Sequence, residues 1–176
     1  MTLPSRDRDR DAAGRPKSAR PRDGLGRPLE RGATGEPVLA DDLRLSPARA
    51  VELAQRLLDE GRPFHAHEVL EAVWKSAPRD QRELWRGLAQ IAVGLTHARR
   101  GNSHGAVTLL TRGATAVTGY LQAAGAEDSE IPVALDLTGI HAAATDLADL
   151  IAARGLGVVS ERELQLRFGP PVAPAG

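Results

Sequence analysis

His67, Glu68, Glu71 and Trp74 lie in one short stretch of the chain, two carboxylates and an imidazole beside an indole. On a helix, spacings of three and four residues put side chains on one stripe, so His67, Glu71 and Trp74 line up with Glu68 beside them. Downstream, Trp85, Gln90, His97 and Asn102 add an indole, an amide, an imidazole and a turn-forming amide. Three chemistries fit. His67 and Glu71 can form a charge-assisted pair within a buried network that Trp74, Gln90 and His97 complete. The same groups can line a pocket for a small ligand or a surface for a protein partner, with Trp74 or Trp85 stacking and Gly87 and Gly94 making room. Or His67, Glu71 and His97 can hold a metal ion, with Glu68 as general base of a hydrolase-like reaction. Structure and binding rank above catalysis here. His-Glu-x-x-Glu lacks the second histidine of the zinc-binding His-Glu-x-x-His pattern, and His97 would have to arrive from another helix. His65, one step around, is expected to face solvent, and His104 and His141 have no carboxylate motif nearby.

The elements that must position these groups are helices. Ser46 as N-cap, Pro47 in the first turn and Gly61 after the end mark a first helix over about 47–60, with Ala50, Val51, Ala54, Leu57 and Leu58 as its buried stripe. A second runs from Pro63 to just before Pro78; Ala66, Val69, Leu70, Val73 and Ala77 form its core face, the His67 stripe its flank, and Glu68 lies nearly opposite. Asp80 with Glu83 resembles a capping box and opens a third helix that continues to about Arg100. Leu84, Leu88, Ile91 and Leu95 are its main stripe; Gly87, Gln90, Gly94 and His97 form a second. Interior helix glycines cost about 1 kcal/mol each against alanine, so a close approach by a backbone or ligand is expected at Gly87 and Gly94. Gly101 and Asn102 suit a tight hairpin into a fourth helix over 103–124, with Tyr120 at its far end, and a fifth spans about 137–153.

The resulting fold class is all-α, a compact bundle of about five helices over residues 41–155 carrying an extended Pro/Arg-rich arm. Prolines at 4, 16, 21, 28 and 37 interrupt residues 1–40, and Arg and Asp alternate from Arg6 to Asp11, which reads as disordered or extended chain. The alternative is a strap over residues 19–29 docked through Leu25 and Leu29. Residues 156–176 read as a tail with one turn near 161–166 and a fraying Pro-rich end.

The phrases Phe64–Trp74, Trp85–Val93 and Arg100–Ala106 together resemble the domain-of-unknown-function family 309, over roughly residues 47–122. Its aromatic-x-Ala-His-Glu-x-x-Glu-x-x-Trp pattern falls on Phe64, Ala66, His67, Glu68, Glu71 and Trp74. Its Gly-Leu-x-Gln run falls on Gly87, Leu88 and Gln90, and its Gly-Asn-x-x-Gly-Ala turn on Gly101, Asn102, Gly105 and Ala106. The resemblance implies a small helical fold and a site in this block, and implies no activity.

Composition narrows the partners. The chain has 176 residues, 23 basic and 23 acidic side chains, and no cysteine. Its zero net charge supplies no field for nucleic acid, and the local patch of Arg99, Arg100 and Arg112 is a surface feature. Thiolate metal sites and disulfides are excluded. No apolar run approaches a membrane span and no signal-peptide core is evident, so a soluble cytoplasmic protein is expected. Phosphate loops, nucleophile elbows and dinucleotide fingerprints are absent, and the sequence leaves any cofactor unknown. The expected partner is a small molecule or another protein.

Overall fold

The computed structural model describes residues 21–30, 32–35, 45–124 and 135–169. Five helices follow one another: α1 (Pro47–Asp59), α2 (Pro63–Ser76), α3 (Arg82–Arg99), α4 (Ser103–Ala124) and α5 (Leu137–Arg154). Each packs against its sequence neighbour, most extensively α3 on α4. Among the described residues there is no β-strand, only an isolated antiparallel bridge between Arg22 and Pro28. No described helix is long and apolar enough to cross a membrane.

Sequence signals account for most of the ends. Ser46 Oγ accepts from the Arg49 N–H, and Pro47 occupies the first turn of α1. Gly61 takes a φ of 73° and turns the chain into α2, which again starts on a proline. Asp136 caps α5 by accepting from the Gly139 N–H at 2.9 Å. Asp80 does not play the expected role at α3. That helix begins at Arg82, and its cap residue Gln81 makes no side-chain capping bond. The chain after Pro78 is instead turned by its own backbone, with Gln81 N–H donating to the Pro78 carbonyl, while the Arg82 guanidinium reaches the Ala77 carbonyl.

The predicted stripes meet in one core. Ala66, Val69 and Leu70 of α2 and Leu84, Leu88, Ile91 and Leu95 of α3 are all fully buried. The second stripe of α3 is consumed by close packing on α4. A Cβ on Gly87 would stand 3.0 Å from the Gly113 carbonyl, one on Gly94 3.0 Å from the Leu110 nitrogen, and one on Gly113 2.7 Å from the Gly87 carbonyl. The expectation that Gly87 and Gly94 leave room for a ligand is therefore corrected: the other backbone that comes close is α4.

The C-terminal tail makes the expected turn, at residues 161–164, and is held to the core as far as Gly169. Phe168 is fully buried, with Leu164 and Leu166 beside it in the core. The Gln55 side chain of α1 brackets this segment, accepting from the Phe168 N–H at 2.8 Å and donating to the Leu166 carbonyl at 3.4 Å. The Phe168 carbonyl in turn accepts from the Asp136 N–H, which ties the tail to the start of α5. The Pro-rich end beyond Gly169 and the arm before Pro21 lie outside the described residues.

Candidate functional site

The structure divides the chemically rich block among four places. On the flank of α2, His67 Nε2 stands 3.2 Å from Glu71 Oε2, and the other Glu71 oxygen pairs with Lys75 Nζ at 3.0 Å. These groups follow one another at i, i+4 and i+8, so one turn of helix separates each from the next. The pair is only partly wet: the side chains of His67 and Glu71 are 23% and 32% exposed. Burial holds the His67 imidazole below its ordinary value, against the upward pull of Glu71 and the Phe64 backbone. A neutral ring facing a carboxylate at Nε2 carries its proton there, leaving Nδ1 as an acceptor. Nδ1 is buried and makes no hydrogen bond of good geometry, although the Phe64 backbone lies close enough to favour the protonated ring. Trp74 and Glu68 are both half-buried on the same helix.

His65 corrects its expected position. It is 3% exposed, because α2 is packed between α1 and α3 and buries more than its one apolar stripe. The Phe64 ring meets His65 edge-on at 5.6 Å and lies 5.9 Å from His67.

The second place is the α3–α4 hairpin. Gly101 has a φ of 79°, and Asn102 Oδ1 caps α4 by accepting from the Gly105 N–H at 2.9 Å. Asn102 Nδ2 meets His97 Nδ1 at 2.9 Å, and a Cβ on Gly105 would fall 2.7 Å from that same ring nitrogen. His97 is thus spent on its own turn. Among the described residues no three His, Cys, Asp or Glu side chains converge as ligands of a metal ion, so His67, Glu71 and His97 are not brought together.

The third place is the core. Trp85 is fully buried, which removes it from stacking on an incoming ligand, and its indole nitrogen has no hydrogen-bond partner. Gln90 belongs to the fourth, a groove of about 750 Å³ between α3 and α4 whose lining includes Asp80, Glu83, Arg112, Thr115 and Tyr120. Gln90 Oε1 and Tyr120 Oη are both buried there without a partner, and burial, with Asp80 nearby, raises the tyrosine pKa. Gln90 and His97 therefore do not complete a network around His67. Nor is the basic patch: Arg99 pairs with Glu161 at 2.8 Å and Arg100 is taken up by residues 21–30. His141 meets Thr118 Oγ1 at 2.6 Å between α5 and α4.

Sequence reasoning offered a docked strap over residues 19–29 only as the alternative to disordered chain, and did not say that it covers the start of α2. Residues 21–29 form a small hairpin that sits on Phe64 and Arg100. The Leu25 carbonyl accepts from Arg100 through both Nε, at 2.9 Å, and Nη2. Gly26 packs so closely on Phe64 that a Cβ would lie 2.3 Å from the ring. Arg22 and Arg100 place their guanidinium carbons 5.4 and 5.8 Å from the ring centroid. The Leu25 and Leu29 side chains, expected to dock the segment, are only half-buried; backbone and cations do the docking. The Gly-x-Gly-Arg phrase between two prolines was the available signal.

Taken together, fold and site define an all-helical bundle with a partly dehydrated His-Glu-Lys row on the flank of its second helix. Residues 51–109 match the model of the family described as Domain of unknown function (DUF309), a span that contains every motif position from Phe64 to Ala106. Over 48 residues the chain is 44% identical to a protein of Bacillus subtilis (strain 168) described as "Uncharacterized protein YpuF". That alignment covers 27% of this chain and 28% of the relative. No solved structure matches the chain significantly.

Proposed function

We propose that the protein is a binding module whose site is the α2 flank around His67, Glu71 and Trp74, with Glu68 alongside, for a small ligand or a protein partner. The observation that carries this reading is His67: largely withdrawn from water, held below its ordinary pKa, and with Nδ1 in no hydrogen bond of good geometry. A purely structural histidine normally has both ring nitrogens satisfied, and a buried polar atom left unpaired costs about 1–3 kcal/mol. An i,i+4 pair returns only about 0.3–0.5 kcal/mol. Retaining such a residue in place of leucine is a stability cost of the kind binding sites carry.

The metal-dependent reading has less behind it, because its third ligand, His97, is engaged by Asn102. Melting curves of wild type beside His67→Leu test the proposal. A variant as stable as wild type or more so supports a histidine kept for recognition; a loss above about 1 kcal/mol means that the pair holds the fold together. Elemental analysis of the wild type and His67→Ala separates the catalytic alternative, since stoichiometric metal lost in the variant would restore it.

A further inference from the structure

The hairpin over residues 21–29 is closed by its own hydrogen bonds, and among the described residues few contacts hold it to the bundle. Asp23 organises its interior: one side-chain oxygen accepts from the N–H groups of Leu25 and Arg27, at 3.0 and 2.7 Å, and its carbonyl accepts from Gly26. The Asp23 N–H donates to the Arg27 carbonyl, the Leu29 N–H to the Pro21 carbonyl, and Arg22 Nη1 to the Gly26 carbonyl at 2.6 Å. Gly26 supplies a φ of 73° at the tip. These bonds all close within the segment. Pro21 and Pro28 at its two legs further restrict the free chain.

The docking contacts have a different character. None of the segment's side chains enters the core, and only Gly26 is buried. Among the described residues, Arg100 grips the Leu25 carbonyl and Phe64 offers its ring face to Gly26 and Arg22. Preorganised turn on one side and a small cradle of Arg plus aromatic on the other is how a peptide motif meets its receptor, where affinity comes from low ordering cost. The cradle residues Phe64 and Arg100 lie within the family-matched span; the hairpin lies outside it.

We propose that the Phe64–Arg100 cradle is a docking site for a glycine-tipped turn carrying an arginine four residues before the glycine, and that the chain's own Arg22–Gly26 turn fills it in cis as a releasable plug. Because Phe64 also contacts the His67 ring, the plug closes the N-terminal end of the α2 flank. The cradle itself rests on the observed docking and does not require the binding function proposed for that flank.

A full-length Gly26→Val variant cannot seat its own turn, since any Cβ there collides with the Phe64 ring and the positive φ is closed to a β-branched residue. A synthetic peptide of residues 19–32 should then bind this variant in trans, with saturable NMR shifts at Phe64 and Arg100. It should bind the wild type at least tenfold more weakly, because the cis turn competes. Adding Arg100→Ala should abolish binding. A folded Gly26→Val protein that ignores the peptide at millimolar concentration, or a double variant that binds equally well, overturns the proposal. Amide exchange in the wild type guards against a variant that does not fold. Gly26, Arg27 and Leu29 must exchange at least a hundredfold faster than the α3 core, and exchange at the core's rate would make the turn an integral part of the fold. Loss of peptide binding leaves the His67 reading untouched, which stands or falls on the His67→Leu melt.

Discussion

Two glycines of α4 should respond to the same substitution with opposite sign. Gly113 faces α3, where an added Cβ would meet Ile91 Cγ1 at 2.6 Å, the Gly87 carbonyl at 2.7 Å and the Ile91 nitrogen at 3.0 Å. Two of those three neighbours are backbone atoms, so no side-chain rotation relieves them and the helices must move apart. Gly119, further along the same helix, is exposed with nothing within 4 Å of its would-be Cβ. Alanine gains about 1 kcal/mol over glycine in a helix interior at either position. At Gly119 that gain is the whole effect. At Gly113 it is set against an overpacking cost of typically 1–3 kcal/mol, at the upper end here because the contact is with backbone. We expect Gly119→Ala to raise stability by about 1 kcal/mol and Gly113→Ala to lower it by about 2 kcal/mol. For a chain of this size each kcal/mol moves the melting temperature by roughly 2–4 °C. Differential scanning calorimetry or urea unfolding of the two variants measures the gap, about 3 kcal/mol. A Gly113→Ala protein as stable as wild type would show that α3 and α4 are not in backbone contact, and would return the glycine stripe to a ligand.

Three further perturbations test other parts of the structure. Because burial depresses the folded-state pKa of His67, the unfolded chain takes up its proton first as pH falls. Wild-type stability should decline below about pH 6.5, the ordinary histidine value, and level off once the folded ring also protonates. The His67→Leu difference, followed by urea unfolding from pH 8 to pH 5, should therefore grow in favour of the variant; a gap that shrinks refutes the depressed pKa. Tyr120→Phe removes a buried hydroxyl that has no partner and should stabilise the protein by about 1 kcal/mol. A loss instead, read by thermal melting, would mean that the hydroxyl is hydrogen-bonded in solution. Phe168→Ala should cost about 3–5 kcal/mol, since the ring is fully buried in the core. A loss below about 1 kcal/mol in urea would show that the tail is peripheral.

The helices were legible because each records its own burial. Leu84, Leu88, Ile91 and Leu95 repeat at helical spacing and are all fully buried, and the Gly101–Asn102 turn needs no tertiary context to be recognised. The His67–Glu71 pair was legible for the same reason: four residues on a helix bring the two side chains to 3.2 Å. What was not legible depends on which helix faces which. His65 sits one step off an apolar stripe, and its burial follows from α2 having neighbours on two sides. His97 and Gln90 share a stripe with Gly87 and Gly94, and that stripe turned toward α4 and not toward α2, which took both residues away from His67. A sequence read one helix at a time supplies the angle of each side chain about its own axis, but not the rotation of that axis relative to the next helix. The small Gly87–Gly94–Gly113 contact fixes that rotation, because only those positions let two backbones approach so closely. The Arg22–Gly26 turn was legible only as an alternative, a strap docked through Leu25 and Leu29, and its docking chemistry was not. Its docking uses a carbonyl, a glycine and a cation, none of which produces a hydrophobic period, so pattern-reading is blind to a segment that recognition chemistry holds in place.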